Sequence, residues 1–347
     1  MDEALTQDAA EQAPRTGASV TLEDVARVAG VTAMTVSRAL NRPELVRSET
    51  QKRVIEAVRK TGYVPNMLAS GLTSNRSRLV ALLLPTIATS IFTDMVQALM
   101  HTLSASGYET LLGLTEYSSM REEELVRTLL GRRPDGIVLT GTDHTDLTLE
   151  RLSQANVPIV EIWDLTDKPI DMLVGFSHEA LGSAVAQHLM EKGYKRFGVV
   201  SADDPRGLRR SHAVINELQK HSASPIPLEV LPAPATLQTG REGLTRMLEA
   251  GLPEVIVCST DTLAQGILAE AASRSLRIPE DIAVMGFGDL STAAHVYPAL
   301  STVRVDGATI GKTAAEALLG RFGARESASS APVRVDTGFS IIDRASA

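Results

Sequence analysis

The sequence predicts an α/β protein with an N-terminal helix-turn-helix headpiece and a larger, two-lobed core of doubly wound parallel sheets. The first observation is three short amphipathic segments near the N-terminus, joined by tight turns. The second is that, from Leu79 onward, short apolar runs alternate with amphipathic stretches, as in parallel strands covered by helices on both faces. The third is that this region spans 269 residues, more than one such core normally holds, which indicates two lobes.

Composition excludes several classes of protein. Cys258 is the only cysteine of the 347 residues, so a disulfide framework and a thiolate zinc site are both excluded. No apolar run approaches the ~20 residues needed to span a bilayer, and the first residues are acidic and polar, unlike a signal peptide. We therefore expect a soluble, cytoplasmic protein that does not bind membranes.

Motifs for cofactor or metal chemistry are absent from the sequence. It contains no Walker A loop, no GxGxxG and no HExxH, and its seven histidines do not fall at the i, i+4 spacing typical of metal ligands. We also find no nucleophile–base pair. The sequence therefore predicts no catalytic residues, no metal, no cofactor and no enzymatic activity.

The charge is distributed unevenly along the chain. The formal net charge is −8, yet residues 18–78 hold ten Lys and Arg against five Asp and Glu. A basic head on an acidic body indicates that only the head contacts a polyanion. Scatter of this size is also ordinary for a protein surface, so the charge alone does not decide.

The headpiece carries helix boundary signals at each turn. Thr21, with an acid three residues later, predicts a first helix that ends at Gly30. Thr32 can cap a second helix over 33–40, and a capping box beginning at Ser48 predicts a third. The third helix is expected to face the core through Val54, Ile55 and Val58.

The second helix has the properties of a DNA-reading helix. Its exposed positions alternate with buried ones, and Arg38 can make a bidentate contact with guanine, while Thr35 and Ser37 suit phosphates. A helical hairpin used only for protein contact is the alternative. The candidate DNA-contacting residues of the headpiece are Thr21, Thr32, Ala33, Met34, Thr35, Ser37, Arg38, Asn41 and Tyr63.

The headpiece resembles that of the LacI/GalR family. The resemblance lies in residues 20–41 (VTLEDVARVAGVTAMTVSRALN) and 62–66 (GYVPN). It implies that the second helix reads the major groove, that residues 66–73 form a hinge helix, and that Leu72 wedges into the minor groove. It also implies a homodimer on a near-palindromic double-stranded operator. Asn66, Ala69 and Leu72 are the candidate DNA contacts of the hinge.

The length and composition of the hinge segment agree with that expectation. The segment is about two turns long, and isolated helices below ~12–15 residues are marginal in water. Gly71 weakens it further. We therefore expect it to be disordered when free and to fold against its dimer mate on DNA. A passive linker is the alternative.

The resemblance continues to the C-terminus and implies a periplasmic-binding-protein-like pair of lobes. The chain would cross between the lobes three times, near Asp164, Val303 and Pro332. The predicted organisation is a disordered tail (1–17), the headpiece (18–64), the hinge and linker (65–78), and the core (79–347), with an N-lobe of about 79–163 and 303–331 and a C-lobe of about 164–302 and 332–347.

The loops after the predicted strands point to a small, polar ligand. Ligands of open α/β sheets bind at the carboxyl ends of the strands. Here these ends carry hydroxyls, carboxylates and aromatic rings, a mixture that suits a polyol or sugar. The candidate effector-binding residues are Ile91, Phe92, Thr140, Asp143, His144, Trp163, Arg210, Thr260, Asp261, Phe287 and Asp289.

Several of these residues have a structural alternative. Asp261 could cap a helix, Trp163 could lie in the core, and Arg210 could form a surface ion pair. Asp143, Asp289 and His144 could be loop side chains in water.

The resemblance also indicates the charge of the ligand. Arg210 stands where the family keeps an arginine that grips the ligand, and a guanidinium pairs well with a carboxylate. The chain departs from the family pattern of Asn and Asp at Thr260 and Gly288, and losing an acid favours an anionic effector. Four stretches are similar to gluconate-operon repressors, which makes gluconate or a close sugar acid the leading effector: 139–145, 158–164, 171–177 and 336–340.

Together these features predict a transcriptional repressor of sugar-acid uptake and catabolism genes, released from its operator by a sugar acid. Helices near Asp94–Ser104 and Ser118–Leu130 are the candidate dimer faces, and no C-terminal heptad run predicts a tetramer. A sugar-binding protein or sugar enzyme with an accessory DNA-binding head is the main alternative. A constitutive architectural DNA-binding protein is another, and it predicts operator affinity that small acids do not change.

Overall fold

The computed structural model describes residues 20–64, 76–88, 90–221, 225–323 and 333–347. The predicted tail and the hinge candidates Asn66, Ala69 and Leu72 lie outside the described residues. The chain divides into two compact units, Met1–Arg76 and Ser77–Ala347.

The first unit contains the predicted helix-turn-helix. Its helices are α1 (Leu22–Ala29), α2 (Ala33–Asn41) and α3 (Ser48–Thr61), with a short 3₁₀ turn at Pro43–Leu45. The capping box at the start of α1 is confirmed, because Thr21 and Asp24 each bond the other's backbone N–H. Gly30 ends α1 with a φ of 64°, and Thr32 caps α2 by accepting from the Thr35 N–H.

Two details of the third helix differ from the prediction. Ser48 is the first helical residue rather than the cap; Arg47 holds the N-cap position without a side-chain bond. Ile55 is 56% exposed, and Ala57 instead joins Val54 in the core. Since one helical turn is 3.6 residues, a face that buries residues 54 and 57 turns residue 55 toward solvent.

The second unit is built on two parallel sheets, which confirms the predicted fold class. The strands are β1 (Leu79–Leu84), β2 (Glu109–Leu114), β3 (Gly136–Thr140), β4 (Ile159–Ile162), β5 (Met172–Gly175), β6 (Phe197–Ala202), β7 (Leu228–Leu231), β8 (Val255–Cys258), β9 (Ala283–Met285), β10 (Thr302–Arg304), β11 (Arg334–Asp336) and β12 (Ser340–Ile342). The helices are α4 (Thr93–Ala105), α5 (Ser119–Leu130), α6 (Asp146–Gln154), α7 (His178–Glu191), α8 (Pro205–Gln219), α9 (Leu237–Ala250), α10 (Asp261–Ser273) and α11 (Gly307–Gly323).

The two sheets share one winding pattern. The N-lobe sheet has the order β11-β5-β4-β3-β1-β2 and the C-lobe sheet has the order β7-β6-β8-β9, all parallel. Most of their strands are buried along nearly their whole length, as expected for sheets covered on both faces. The chain reverses its winding direction beside β1 and beside β6, so both lobes place their ligand-binding crevice at the carboxyl ends of these strands.

The lobe crossings lie later than two of the three predicted positions. β5 and β11 both belong to the N-lobe sheet, so the chain leaves that lobe after Gly175 rather than near Asp164. It returns to the C-lobe between Asp336 and Ser340 rather than near Pro332, because β12 pairs with β10. The second crossing follows β10, close to the predicted Val303.

Candidate effector site and DNA-contacting surface

The second helix of the headpiece presents a polar and a buried face. Val36 and Ala39 are buried in the headpiece core, whereas Met34 is 64% exposed and Arg38 is exposed. Among the described residues, Arg38 has no carboxylate within ion-pair distance, so its guanidinium is available for a phosphate or a base. Ala33, Thr35 and Ser37 are half-buried on the same helix.

The other headpiece candidates are engaged within the headpiece. The hydroxyls of Thr32 and Thr35 lie 2.9 Å apart at the helix cap, and Thr21 caps α1. The Asn41 side-chain amide donates to the Ser37 carbonyl at 3.0 Å. Tyr63 differs from the prediction, because its side chain is buried in the headpiece core, and packing rather than DNA contact accounts for it.

A cavity lies between the lobes of the core, at the carboxyl ends of the strands, with about 520 Å³ of empty space that is partly open to solvent. The loop after β1 and Trp163 after β4 contribute its N-lobe side, and α8 and the loops after β8 and β9 contribute its C-lobe side. Its lining residues are Ile91, Phe92, Tyr117, Trp163, Ala202, Asp204, Arg206, Arg210, Ala235, Thr260, Asp261, Thr262, Phe287 and Leu290.

Seven of the eleven effector candidates line this cavity, namely Ile91, Phe92, Trp163, Arg210, Thr260, Asp261 and Phe287. The other four candidates, Thr140, Asp143, His144 and Asp289, do not line the cavity. Thr140 uses its hydroxyl to donate to the Leu83 carbonyl at 2.8 Å. Asp289 accepts from the side chains of Arg304 at 2.6 Å and Arg344 at 2.7 Å.

Arg210 is the central cation of the cavity. It is 6% exposed, its guanidinium lies 3.8 Å from the ring centroid of Phe287, and it donates to the Ser259 carbonyl at 2.7 Å. Its Nη1 lies 3.0 Å from Nδ1 of His178. Its Nε has no hydrogen-bond partner among the described residues, and no carboxylate there lies within ion-pair distance. The alternative in which Arg210 forms an ion pair at the surface is therefore wrong.

The protonation states around Arg210 follow from burial. Burial and the neighbouring Arg210 and Arg206 hold the pKa of His178 well below its usual value, so its ring is neutral. Nε2 of His178 donates to the Trp163 carbonyl at 3.0 Å, which leaves Nδ1 to accept from Arg210. Burial lowers the pKa of Arg210 to about 10, so the guanidinium remains charged at neutral pH.

A second arginine of the same helix was not among the sequence-based candidates. Arg206, one turn before Arg210 on α8, is 9% exposed and lines the cavity. It donates to the Thr140 carbonyl at 2.9 Å and therefore joins the C-lobe to the N-lobe. Within the described ranges it also has no carboxylate at ion-pair distance. Its place immediately after the strand-end loop at Asp204 was the signal that could have identified it.

The two carboxylates of the lining have partners already. Asp204 caps α8 by accepting from the Gly207 N–H at 2.9 Å. Asp261 accepts from the Thr302 hydroxyl at 2.6 Å and from the Leu290 N–H at 2.8 Å, and burial raises its pKa to about 6. Thr260, not Asp261, caps α10. The acids of the cavity therefore accept hydrogen bonds from other groups, and neither arginine has a carboxylate within ion-pair distance among the described residues; the charges of Asp204 and Asp164 act on Arg210 from farther away.

Aromatic rings form the apolar side of the cavity. Trp163 packs edge-on against Phe92, with ring centroids 5.0 Å apart, and against Phe176 at 5.7 Å. Trp163 is 3% exposed, so it belongs both to the core and to the cavity lining. Such a surface suits the C–H faces of a polyol. Gly288 has a φ of 126°, a conformation that L side chains rarely adopt, which accounts for glycine where the family pattern has an acid.

Asp143 belongs to a cluster of ion pairs between the lobes. Arg209 of α8 holds Asp143 at 2.8 Å and also hydrogen-bonds Asp164, and its Nε lies 3.5 Å from Glu179. Asp143 and Asp164 follow β3 and β4 of the N-lobe, so the ion pairs span the cleft. Asp143 therefore pairs with Arg209 across the cleft and does not line the cavity.

His144 is buried between two glutamates and is not a surface loop residue. Its Nδ1 lies 2.6 Å from Glu122, and its Nε2 lies 3.5 Å from Glu161. Burial alone would lower the pKa of His144, but the hydrogen bond to Glu122 and the ion pair with Glu161 outweigh burial and raise the pKa to about 9. His144 therefore carries a positive charge at neutral pH and joins α5 to the sheet.

The charge on His144 predicts a pH-dependent stability. Its folded pKa of about 9 lies above the ordinary value of 6.5, so its contribution is complete below pH 6.5 and is lost as pH rises through 9. A shift of this size corresponds to about 3 kcal/mol. Chemical denaturation from pH 6 to 10 should show that the stability difference between wild type and His144→Gln shrinks toward alkaline pH. A difference that does not vary with pH would contradict the buried charge.

The described helices include none long and apolar enough to cross a membrane. Nor does the described part of the chain contain a cluster of His, Cys, Asp and Glu side chains that could hold a metal ion.

Comparisons with known proteins agree with this two-part architecture. The family model for bacterial regulatory proteins of the lacI family matches residues 21–66, and that for the periplasmic binding protein-like domain matches residues 186–347. The HTH-type transcriptional regulator GntR of Pseudomonas aeruginosa is 37% identical over 336 residues, 96% of this chain and 97% of that one. The regulator IdnR of Escherichia coli is 30% identical over 306 residues, 87% of this chain and 92% of its own.

A solved structure is similar to most of the chain. A LacI family transcriptional regulator from Silicibacter pomeroyi superimposes with a TM-score of 0.86 at 30% identity and covers 94% of this chain and 99% of its own. The chain belongs to the LacI family of bacterial transcriptional regulators.

Proposed function

We propose that this protein is a homodimeric, cytoplasmic repressor whose operator affinity is controlled by gluconate or a close sugar acid in the interlobe cavity. In this proposal, the sugar acid relieves repression of genes for its own uptake and catabolism. The observation that carries the proposal is Arg210, a buried cation in the cavity whose Nε–H has no acceptor and which has no carboxylate within ion-pair distance among the described residues. Burying a charge is costly unless it is paired, so an anionic ligand would be strongly favoured there.

The remaining lining supports a polyol attached to that anion. The hydroxyls of Tyr117, Thr260 and Thr262 and the aromatic ring of Trp163 provide polar and apolar contacts of the kind that hold a sugar chain. The carboxylate of the ligand would lie at Arg210, where the Nε–H lacks an acceptor. Asp204 and Asp261, whose oxygens already accept backbone or hydroxyl protons, would not have to approach that carboxylate.

DNA binding in this proposal uses the headpiece as a pair. Met34 and Arg38 of each α2 would enter successive major grooves of a near-palindromic operator. Asn66, Ala69 and Leu72 would belong to a hinge helix, with Leu72 inserted at the central base step. The effector would change lobe closure and the dimer interface, separate the two hinge segments and thereby lower operator affinity.

The core supplies apolar surface for a second copy of the chain. Met100 on α4 is 38% exposed, Leu112 on the edge strand β2 is 47% exposed, and Met120 at the start of α5 is 64% exposed. These elements include both of the helices predicted as dimer faces. Exposed apolar side chains of this kind suit a protein–protein interface.

Substitution of Arg210 tests the effector site. Arg210→Met keeps the side-chain volume and removes the charge, so gluconate affinity in isothermal titration calorimetry should fall about 100-fold, the value of a charge-assisted contact of about 2.7 kcal/mol. Operator affinity without effector should stay close to wild type. Arg277→Met, which breaks an exposed ion pair within the same lobe, is the matched control. A gluconate response that survives in Arg210→Met would refute the proposed clamp.

Two headpiece and hinge substitutions test operator recognition. Arg38→Ala should lower affinity for the specific operator about tenfold, within the ~1–3 kcal/mol of a bidentate base contact. Leu72→Ala should also lower the affinity for this operator, because the side chain proposed to insert at the central base step would be shortened. A gel shift measures both. Arg27→Ala is the matched control, because Arg27 is exposed but already paired with Asp24 at 2.8 Å. Unchanged affinity in both test variants would count against this mode of binding.

A further inference from the structure

A second chamber adjoins the effector cavity. It has about 590 Å³ of empty space, partly open to solvent, and carries the hydroxyls of Thr115, Ser118 and Ser119 on its N-lobe side. Tyr117 and Arg206 line both the cavity and this outer chamber, so these two side chains form the partition between them. The separation of the two spaces therefore depends on two residues rather than on a layer of backbone.

The two residues of the partition are held differently. Arg206 is anchored across the cleft by its bond to the Thr140 carbonyl. The Tyr117 side chain is half-buried, and within the described part of the chain it makes no hydrogen bond. The ring can therefore be removed without breaking a side-chain hydrogen bond.

The backbone holds Tyr117 firmly at the partition. Just before it, the Thr115 N–H donates to the Leu84 carbonyl at 2.8 Å and the Glu116 N–H donates to the Pro85 carbonyl at 3.0 Å, which ties the turn to the end of β1. Just after it, Ser118 caps α5. Glu116 and Tyr117 have φ values of 54° and 61°, a conformation unfavourable for side chains other than glycine. A bulky residue held in this conformation at the mouth of a cavity indicates a functional constraint.

We propose that Tyr117 determines the size specificity of this regulator: its ring closes the effector cavity toward the outer chamber and limits the ligand to a single sugar-acid unit. This inference rests on the proposed function, since it concerns the same cavity. The outer chamber combines hydroxyl and carboxylate groups with apolar surface, a mixture that suits a further sugar ring. Without the phenol ring, a sugar acid that carries a glycosyl substituent could extend from the cavity into the chamber.

The test compares two acids that differ by one sugar ring. Gluconate is the small ligand, and lactobionate, which is gluconate with a galactosyl group on O4, is the large one. Isothermal titration calorimetry on the full chain gives the ratio of the two dissociation constants for wild type, Tyr117→Ala, Tyr117→Phe and the control Tyr297→Ala. Tyr297 is 98% exposed and lines neither space. The ratio cancels any contact that both ligands lose.

Wild type should bind gluconate at least about 100-fold more tightly than lactobionate. In Tyr117→Ala this ratio should fall at least tenfold, whereas Tyr117→Phe, which keeps the ring, and Tyr297→Ala should keep it. An unchanged ratio in Tyr117→Ala would overturn the inference and leave the proposed function intact. Loss of both ligands from a folded Tyr117→Ala would also overturn it, because Tyr117 would then be a general contact. A wild type that binds neither acid would overturn the proposed function and this inference with it.

Discussion

A buried guanidinium with no carboxylate at ion-pair distance among the described residues is the feature on which the interlobe cleft depends. Arg210 finds only neutral partners, namely the His178 ring, the Ser259 carbonyl and the face of Phe287. These partners come from α7, from the end of β8 and from the end of β9, so three elements of the C-lobe converge on one cation. Because such a charge is poorly compensated by neutral groups, the cavity is predisposed toward an anion.

The same helix that carries this cation also reaches the opposite lobe. Arg206 bonds the Thr140 carbonyl, and Arg209 pairs with Asp143 and Asp164, all on α8 or on strand ends of the N-lobe. A ligand that repositions Arg210 therefore acts on the helix that joins the lobes. Thermodynamic linkage requires the reverse as well: a state of the lobes favoured by DNA changes the affinity for the ligand by the same factor.

Two of the three predicted helix caps of the headpiece occur in the structure, whereas the cap predicted at Ser48 and the features set by distant residues differ from the prediction. The caps at Thr21 and Thr32 depend on neighbours three residues away, and both occur as predicted. His144 was expected near the ligand because it follows a strand, but its partners, Glu122 and Glu161, are 22 and 17 positions away and draw it into the core. Arg206 follows the strand-end loop at Asp204, but its contact with Thr140 depends on the packing of the lobes and was not predictable from the sequence. The short strand Met172–Gly175, not anticipated as a strand, moved the first lobe crossing.

Isothermal titration calorimetry of the wild-type protein with gluconate and with sorbitol tests the central claim most directly. Sorbitol has the same carbon chain and hydroxyls, with a CH₂OH group in place of the carboxylate. If the charge of Arg210 governs binding, gluconate should bind at least about 100-fold more tightly than sorbitol. Equal affinity for the two, or no binding of gluconate, would contradict the account.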